Sequence, residues 1–489
     1  MASASAVPSV RPAPADPNTL NPAVWPEHAG RDARGVLVVG GVPADELAAE
    51  FGTPLYVVDE AAARSRAARL RTAFEAAAAG IGTDVTVYYA GKSFLSGAVV
   101  RWMTEEGLGI DVCTGGELAI ALAAGADPAR MGFHGNNKSS AEIERAVAVG
   151  VGAIILDSEA EIDRVADAAA RAGRVQRVRL RVNSGVHAST HEFLATAHED
   201  QKFGVPLARA VELATRIRGR DSLEFLGLHC HIGSQIFDAS GFGESAARLL
   251  GVHAELVRLG PVPELNLGGG FGIAYTEADD PRPIEEIALG IADRVAAACR
   301  DLDVAVPKLA FEPGRSIIGP AGVTLYTVGT VKPVPIEGGT RTYVSVDGGM
   351  SDNARTALYG AAYSARLASR TSDAPPALVR VAGKHCESGD IVVDQEHLPA
   401  DVAPGDLLAV AATGAYCWSL ASNYNHVARP AVVAVRDGRA RVIVRGETEA
   451  DLLARDLGLD AAQDAGHGAS VAAGAPAPTV STAAEGAAE

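Results

Sequence analysis

Residues 85–95 read VTVYYAGKSFL and join a short apolar strand to the start of a helical pattern. Val85, Val87 and Tyr89 alternate as in a β-strand, which places Lys92 just beyond the carboxyl end of the strand. An amine held there in a partly desolvated pocket is an effective nucleophile near neutral pH and can form a Schiff base. The competing interpretation is an ordinary lysine on a solvated surface, and the residues at neighbouring strand ends decide between the two.

The pattern beyond this stretch alternates strands with helices as far as Pro313. Short apolar strands are predicted at 85–90, 109–113, 131–134, 153–157, 178–183, 225–230, 264–268 and 308–312. Helical spacing of Ala, Leu and Val fills most of the gaps, for example at 116–124, 141–149, 159–172 and 207–217. Eight strands alternating with helices over roughly 230 residues predict an α/β fold of the (β/α)8 TIM-barrel type. An open, doubly wound sheet is the alternative that strand counting leaves open.

After about Gly319 the pattern changes to alternating strands without intervening helices. These strands are predicted at 323–331, 343–346, 378–381, 407–411, 431–435 and 441–444, and they indicate a C-terminal all-β domain. Two early strands, at 36–39 and 55–58, precede the barrel, and we expect N-terminal strands to complete the β domain from the other end of the chain.

Five segments follow from these patterns. They are a tail at 1–22, a segment joining the β domain at 23–62, the barrel at 63–319, the β domain at 320–456, and an Ala/Gly-rich tail at 457–489. Neither tail has enough apolar surface to offset chain entropy by burial, so we expect both to be disordered.

Charge and cysteine content limit the classes of function. The 489 residues include 43 basic and 60 acidic ones, and the formal net charge of -17 disfavours nucleic acid and anionic membranes as partners. We find no apolar run as long as a membrane span and no secretory signal pattern. Five scattered cysteines suit reduced thiols, so we expect a cytoplasmic protein.

Polar and glycine-rich residues gather at the predicted strand ends, where barrel enzymes place their chemistry. Besides Lys92, these positions include Asn136, Lys138, His231, Gly268–Gly270 and Glu312. The sequence therefore predicts an active site at this end of the barrel.

The last two predicted strands each end in a possible phosphate-binding loop. Gly268–Gly270 end one strand, and Gly314 and Arg315 follow the other. Glycine amides approach an anion closely, and barrels often bind phosphate in the loops after strands seven and eight. A tight turn is the alternative for a lone glycine cluster, but two convergent loops favour a phosphorylated ligand.

Glu312 is an acid in a location suited to anions, so it needs a cationic partner. That partner is either Arg315, in a structural salt bridge, or the protonated ring nitrogen of pyridoxal phosphate. Pyridoxal phosphate needs a lysine, a phosphate-binding loop and an acid for its ring nitrogen. The presence of all three predicts this cofactor better than any single feature does.

Two short runs contain histidine and cysteine, the residue types that form metal or thiol sites. In the HCH run at 229–231, consecutive strand residues point to opposite faces, so Cys230 cannot share a site with its neighbours and no metal is predicted. His231 could stack on a flat ring, whereas His229 could be a hydrogen-bonded core histidine. Cys386, in the loop HCESGD at 385–390, is either an inert buried thiol or one tuned by its neighbours.

Nine motifs occur in order between about residues 30 and 450. They are YYAGKSFL (88–95), HGNNKS (134–139), HEDQKFG (198–204), GLHCHIGSQI (227–236), LNLGGGFGI (265–273), FEPGR (311–315), DGGMSDNARTALYG (347–360), CESGD (386–390) and GAYCWSLASNYN (414–425). This set resembles the diaminopimelate decarboxylases. The resemblance implies a fold-type III pyridoxal-phosphate enzyme with an alanine-racemase-like barrel and a C-terminal β domain.

The resemblance also implies roles for individual residues. It implies that Lys92 is catalytic and binds the cofactor covalently, and that His231 stacks on the cofactor ring. Further cofactor contacts are implied for Ser234, Gly270, Glu312, Gly314, Arg315 and Tyr416, and substrate contacts for Arg315, Arg355, Tyr359, Glu387 and Tyr416. Cys386 is implied to be a catalytic proton donor in the partner subunit's site, so a homodimer with shared active sites is expected.

The predicted activity is that of a carboxy-lyase that converts meso-2,6-diaminopimelate to L-lysine and carbon dioxide, the last step of lysine biosynthesis. The nearest competitor is a decarboxylase for arginine, ornithine or a carboxylated polyamine, which needs no clamp for a distal carboxylate. An alanine-type racemase fits less well, because its ring nitrogen faces arginine and not an acid such as Glu312. A non-catalytic cofactor carrier would have little use for the β domain and the CESGD loop.

Overall fold

The computed structural model describes residues 12–186, 202–336 and 339–459. Its strands are β1 (Gly30–Arg31), β2 (Leu37–Val39), β3 (Val42–Pro43), β4 (Leu55–Asp59), β5 (Val85–Ala90), β6 (Gly109–Val112), β7 (Met131–Phe133), β8 (Ala153–Leu156), β9 (Gln176–Asn183), β10 (Val205–Pro206), β11 (Leu223–His229), β12 (Glu264–Asn266), β13 (Lys308–Phe311), β14 (Gly322–Ile336), β15 (Gly339–Val346), β16 (Ala365–Leu367), β17 (Pro376–Ala382), β18 (Ile391–Pro399), β19 (Leu407–Ala411), β20 (Val432–Arg436) and β21 (Arg439–Val444). Its α-helices are α1 (Ala44–Phe51), α2 (Glu60–Gly80), α3 (Gly97–Glu105), α4 (Gly115–Ala123), α5 (Ser140–Val149), α6 (Glu159–Arg171), α7 (Ala210–Arg218), α8 (Ser240–Arg258), α9 (Ile284–Asp301), α10 (Arg315–Ile318), α11 (Arg355–Tyr359) and α12 (Glu449–Leu453).

Eight parallel strands form a closed barrel, in the order β9-β11-β12-β13-β5-β6-β7-β8. The sheet closes because β8 also pairs with β9, with Ile154 opposite Val178. This closure excludes the open doubly wound sheet and confirms the predicted barrel. Each predicted strand lies within two residues of the observed one.

Apolar spacing explains why these segments pack as a barrel. All four residues of β8 are buried, as expected for a parallel strand covered on both faces. Helix α6 buries Ile162, Val165, Ala166 and Ala169, which lie at i, i+3, i+4 and i+7 and so share one face. Side chains from the strands fill the barrel interior, and the apolar faces of the helices cover the outside of the barrel.

The β domain contains β14–β21 and takes one central strand from the N-terminal segment. Strand β4 lies between β14, to which it is antiparallel, and β20, to which it is parallel. The other early strand, β2, pairs with β1 and β3 in a small separate sheet. One of its links to the β domain is a hydrogen bond of 2.9 Å from Leu37 N to Ala368 O.

Part of the predicted N-terminal tail contacts the β domain. The Asn18 side chain donates to Ser372 O at 2.9 Å, and Arg366 donates to Thr19 O at 3.0 Å. The tail residues 1–11 and 460–489, and residues 198–201 of the HEDQKFG motif, lie outside the described residues. The predicted domain boundaries stay predictions.

Residues 447–459 form a unit of their own, in which Thr448 and Asp451 cap α12 reciprocally. In the described part of the chain, no helix combines the length and apolar character that crossing a membrane requires.

Candidate active site at the carboxyl ends of the barrel strands

Lys92 lies in the short 3-10 turn Gly91–Ser93 that follows β5. The turn is held from inside, because Ser93 Oγ donates to Ala90 O at 2.8 Å and Tyr89 Oη donates to Phe94 O at 2.6 Å. Gly91 and Ser93 are buried but Lys92 is exposed, so the amine is less desolvated than the sequence predicts. No hydrogen bond or ion pair joins the Lys92 amine to another described residue.

Glu312 follows β13 and lies at the centre of a buried polar network. Its Oε1 accepts a 2.6 Å hydrogen bond from the Asn266 side chain and lies 3.3 Å from His134 Nε2. Its Oε2 lies 3.2 Å from His229 Nε2, which therefore donates to the carboxylate. His134 Nε2 also lies 3.5 Å from Asp111 Oδ1. The acid thus faces imidazoles from β7 and β11, neither of which pairs with β13, and among the described residues it has no arginine partner.

Burial and neighbouring charges set the protonation states in this network. Burial alone would lower the pKa of His134, but Glu312 and Asp111 raise it to about 9. Burial lowers the pKa of His229 to about 4, and burial and Glu312 raise that of Asp111 to about 6. Burial opposes ionisation of Glu312, yet His134 and His229 hold its pKa well below the ordinary value. Near neutral pH the network therefore contains an ionised Glu312 beside a protonated His134.

The HCH run at 229–231 has the orientation predicted from strand alternation. His229 faces Glu312, whereas Cys230 Sγ lies 3.0 Å from Ser245 Oγ on helix α8. Burial lowers the pKa of His231 well below its ordinary value, and the Lys92 charge adds to this effect. His231 therefore lies near Lys92 as a neutral ring.

The histidines next to Glu312 also offer a possible metal site. His134, His229 and Glu312 place potential ligand atoms within 4.8 Å of one another. The metal-free site expected from the sequence stays a prediction.

Glycines after β12 and β13 allow the loops that follow four strands, β5, β11, β12 and β13, to meet. A Cβ on Gly270, whose φ is +114°, would lie 2.3 Å from Gly233 O, and one on Gly269 would lie 2.1 Å from Glu312 O. A Cβ on Gly314 would lie 3.0 Å from Ser93 Oγ. Side chains at these positions would separate the loops, so the glycines bring Ser234, Gly270 and Gly314 to the rim beside Lys92.

Two arginines at this rim lie among tyrosines. Arg315 donates to Ser234 Oγ at 2.8 Å and to the Tyr275 hydroxyl. Arg355, from the β domain, is 7% exposed and donates to the same hydroxyl at 2.9 Å and to that of Tyr363 at 2.6 Å. Among the described residues, neither guanidinium has a carboxylate partner.

Tyr416 joins the two domains beside these arginines. Its backbone N donates to Ser93 O at 2.7 Å, and its ring centroid is 4.7 Å from Arg315 Cζ and 5.7 Å from Arg355 Cζ. Its φ of +67° is in the left-handed region, a strained conformation that is often found at functional sites.

Three predicted site residues lie away from this cluster. Tyr359 is 54% exposed, and Cys386 and Glu387 are also exposed. Glu387 accepts a hydrogen bond from the Tyr424 hydroxyl. No hydrogen bond or ion pair joins any of the three to the barrel rim within the described ranges.

One residue predicted at the rim has a different environment, and three residues at the site were not predicted. Lys138 is buried, with its amine 3.1 Å from Glu161 Oε2 and 2.7 Å from Ile155 O, so it acts structurally. Asp111 and His134 were not predicted as site residues. Their positions at the ends of β6 and β7, where barrel enzymes place their chemistry, would have been sufficient to predict them. Tyr275 follows no strand directly, and no sequence signal identifies it.

Known proteins resemble this chain in sequence and in fold. The family model for the pyridoxal-binding domain of pyridoxal-dependent decarboxylases matches residues 65–319. The diaminopimelate decarboxylase of Mycobacterium tuberculosis H37Rv is 52% identical over 447 residues, which cover 90% of this chain and 98% of that protein. The Bacillus subtilis enzyme of the same name is 44% identical, covering 87% and 96%. The M. jannaschii diaminopimelate decarboxylase, solved in complex with L-lysine, superposes with a TM-score of 0.82 at 31% identity, covering 88% and 98%.

The raised pKa of His134 predicts a pH dependence of stability. Because that pKa rises from 6.5 to about 9 on folding, the stabilisation by His134 is complete below pH 6.5 and is lost as the pH rises through about 9. We expect the urea midpoint of the cofactor-free protein to fall across this range, and to fall less steeply in His134→Asn. The exposed His426, changed to Asn, is the control and should keep the wild-type slope. An unchanged slope in His134→Asn would contradict the proposed charge state.

Proposed function

The chain belongs to the diaminopimelate decarboxylases, a family of pyridoxal-dependent enzymes, and we propose that its barrel site converts meso-2,6-diaminopimelate to L-lysine and carbon dioxide. This reaction would be the last step of lysine biosynthesis. The observation that supports it best is the presence, at one rim, of Lys92, an ionised Glu312 and two arginines that have no carboxylate partner among the described residues. The lysine and the acid suit the cofactor, and the arginines suit a substrate that has a second carboxylate.

Pyridoxal phosphate fits the donors and acceptors of this rim. Lys92 would bind it covalently, and His231 would stack on its ring. Its phosphate would be held by Ser234, Gly270, Gly314 and Arg315, of which Arg315 and Ser234 are already in hydrogen-bond contact. Glu312 would accept a hydrogen bond from the protonated ring nitrogen, and Tyr416 would lie beside the cofactor. When bound, the cofactor supplies an electron sink for the carbanion that remains after carbon dioxide leaves.

The protein's own network would keep a proton on the ring nitrogen. A buried acid alone tends to be neutral, and a neutral acid would not stabilise a protonated ring. The cation on His134 and the hydrogen bond from His229 keep Glu312 ionised. The two histidines therefore act as positioning residues for Glu312.

Substrate selectivity would come from the charges around the far end of the substrate. Arg315 and Arg355 would bind its carboxylate, while Glu387 would attract its ammonium group, with Tyr359 and Tyr416 as further contacts. A decarboxylase for ornithine or arginine has no carboxylate to place there and would leave the nearly buried Arg355 unpaired.

The reaction ends when the carbon that lost carbon dioxide gains a proton. Two groups are proposed as donors: the amine of Lys92 and the thiol of Cys386. Because Cys386 is exposed and makes no hydrogen bond to the described rim residues of its own chain, we propose that it reaches a site in a second copy.

A homodimer with shared sites, in the cytoplasm, is the proposed working unit. Large apolar side chains are exposed on segments near the Cys386 loop: Leu358 (59%), Tyr359 (54%), Leu420 (38%) and Tyr424 (41%). Contiguous exposed apolar surface often marks a protein interface. We propose no nucleic-acid partner, since the net charge is -17.

The activity is tested by incubating the protein with pyridoxal phosphate and meso-diaminopimelate and assaying lysine and carbon dioxide. We expect equal amounts of both products from wild type and a loss of at least about 1,000-fold in Lys92→Ala. Lys332→Ala, which changes an exposed lysine on β14, should keep wild-type activity. Release of carbon dioxide from ornithine or arginine but not from diaminopimelate would contradict the proposed substrate.

Shared sites predict that two inactive variants complement each other. We expect Lys92→Ala and Cys386→Ala to be inactive alone, whereas each mixed dimer would contain one complete site. Random pairing makes half of the dimers mixed, so co-expression should restore about a quarter of wild-type activity. Full activity of Cys386→Ala alone, or no recovery in dimers shown to be mixed, would contradict shared sites.

A further inference from the structure

Tyr275 lies between the two arginines of the proposed substrate site. It is 5% exposed, and its hydroxyl accepts hydrogen bonds from Arg315 Nη1 and Arg355 Nη1. Its position is well defined, because its backbone N donates to Asp279 Oδ2 at 3.0 Å and its ring packs edge-on against Tyr363 at 5.2 Å. The hydroxyl is therefore held at one point by both domains.

The two contacts determine what the hydroxyl can do next. A phenol has one proton to donate, and a guanidinium has no acceptor. The oxygen accepts from both arginines, so its proton must point elsewhere. Within the described part of the chain, no residue accepts a hydrogen bond from this hydroxyl. A buried donor without an acceptor is costly, which favours an acceptor supplied by a ligand.

The charges next to Tyr275 indicate the chemical nature of that acceptor. The guanidiniums of Arg315 and Arg355 share the single neutral oxygen of Tyr275, with no carboxylate between them among the described residues. Cations placed this close together repel each other unless an anion offsets them. A carboxylate matches the geometry of guanidinium donors and can accept a further hydrogen bond from a phenol.

We propose that Tyr275 is a specificity-determining residue that donates its hydroxyl proton to the far carboxylate of the substrate, between Arg315 and Arg355. This role rests on the proposed function, because it assigns the arginine pair to the far end of diaminopimelate. With Tyr275 the subsite has three donors and no acceptor. A substrate ending in an ammonium group would meet only donors and cations there, so Tyr275 adds to its exclusion.

Pimelate separates this role from the chemistry of the reaction. It is the seven-carbon dicarboxylate without amines, so it cannot bond covalently to the cofactor and reports only the carboxylate subsites. Tyr275→Phe keeps the ring that packs against Tyr363 and removes only the hydroxyl, so we expect it to fold. Its thermal melting and visible cofactor absorbance check this expectation.

We expect Tyr275→Phe holoenzyme to bind pimelate roughly tenfold to a hundredfold more weakly than wild type, measured by calorimetry. Its KM for meso-diaminopimelate should rise by a similar factor while kcat stays within about threefold of wild type. The matched control is Tyr363→Phe, which removes a comparable hydrogen bond to Arg355 but no donor from the carboxylate position. It should weaken pimelate binding less than about threefold.

Unchanged pimelate affinity in Tyr275→Phe would overturn the proposal. Equal losses in Tyr275→Phe and Tyr363→Phe would also overturn it, since both tyrosines would then only support Arg355. If wild type binds pimelate but forms no lysine, the proposed reaction fails, while the binding comparison still tests Tyr275.

Discussion

The pairing of β8 with β9 is the constraint on which the rest of the structure depends. It closes the sheet, and a closed parallel barrel brings the carboxyl ends of all its strands to one rim. His134 after β7 and Glu312 after β13 lie three strands apart in the sheet, and they come within 3.3 Å of each other because the sheet closes. The glycines after β12 then remove the side chains that would hold the adjoining loops apart. The chemistry of the site is thus a consequence of strand pairing.

The site contains two groups of charged residues, one built around an anion and the other around two cations. In the first, Glu312 is stabilised as an anion by the imidazoles of His134 and His229, from β7 and β11. At the interface with the β domain, Arg315 and Arg355 are stabilised as cations by tyrosine oxygens and rings rather than by acids. The first group needs a positively charged partner and the second a negatively charged one. A protonated cofactor ring would pair with Glu312, and a substrate carboxylate would pair with the two arginines. One site could therefore hold both ligands without a salt bridge between Glu312 and the arginines.

Local patterns were sufficient to predict the barrel, because apolar alternation and helical spacing are properties of short segments. They were also sufficient for Lys92 and Glu312, which directly follow strands. Strand β18 was missed because Asp394, Gln395 and Glu396 interrupt its apolar pattern, although Glu396 is buried with its partner Arg366. Tyr275 could not be predicted, because its position depends on a loop and on an arginine from the other domain. The role of Cys386 needs a second chain and stays a prediction.

The covalent bond between Lys92 and the cofactor is the central claim, and it can be measured directly. The protein loaded with pyridoxal phosphate is reduced with borohydride and digested, and the modified peptide is identified by mass spectrometry. We predict that the pyridoxyl group is attached to Lys92. Attachment at the buried Lys138 or the exposed Lys384, or at no lysine, would contradict the assignment of this rim as the cofactor site.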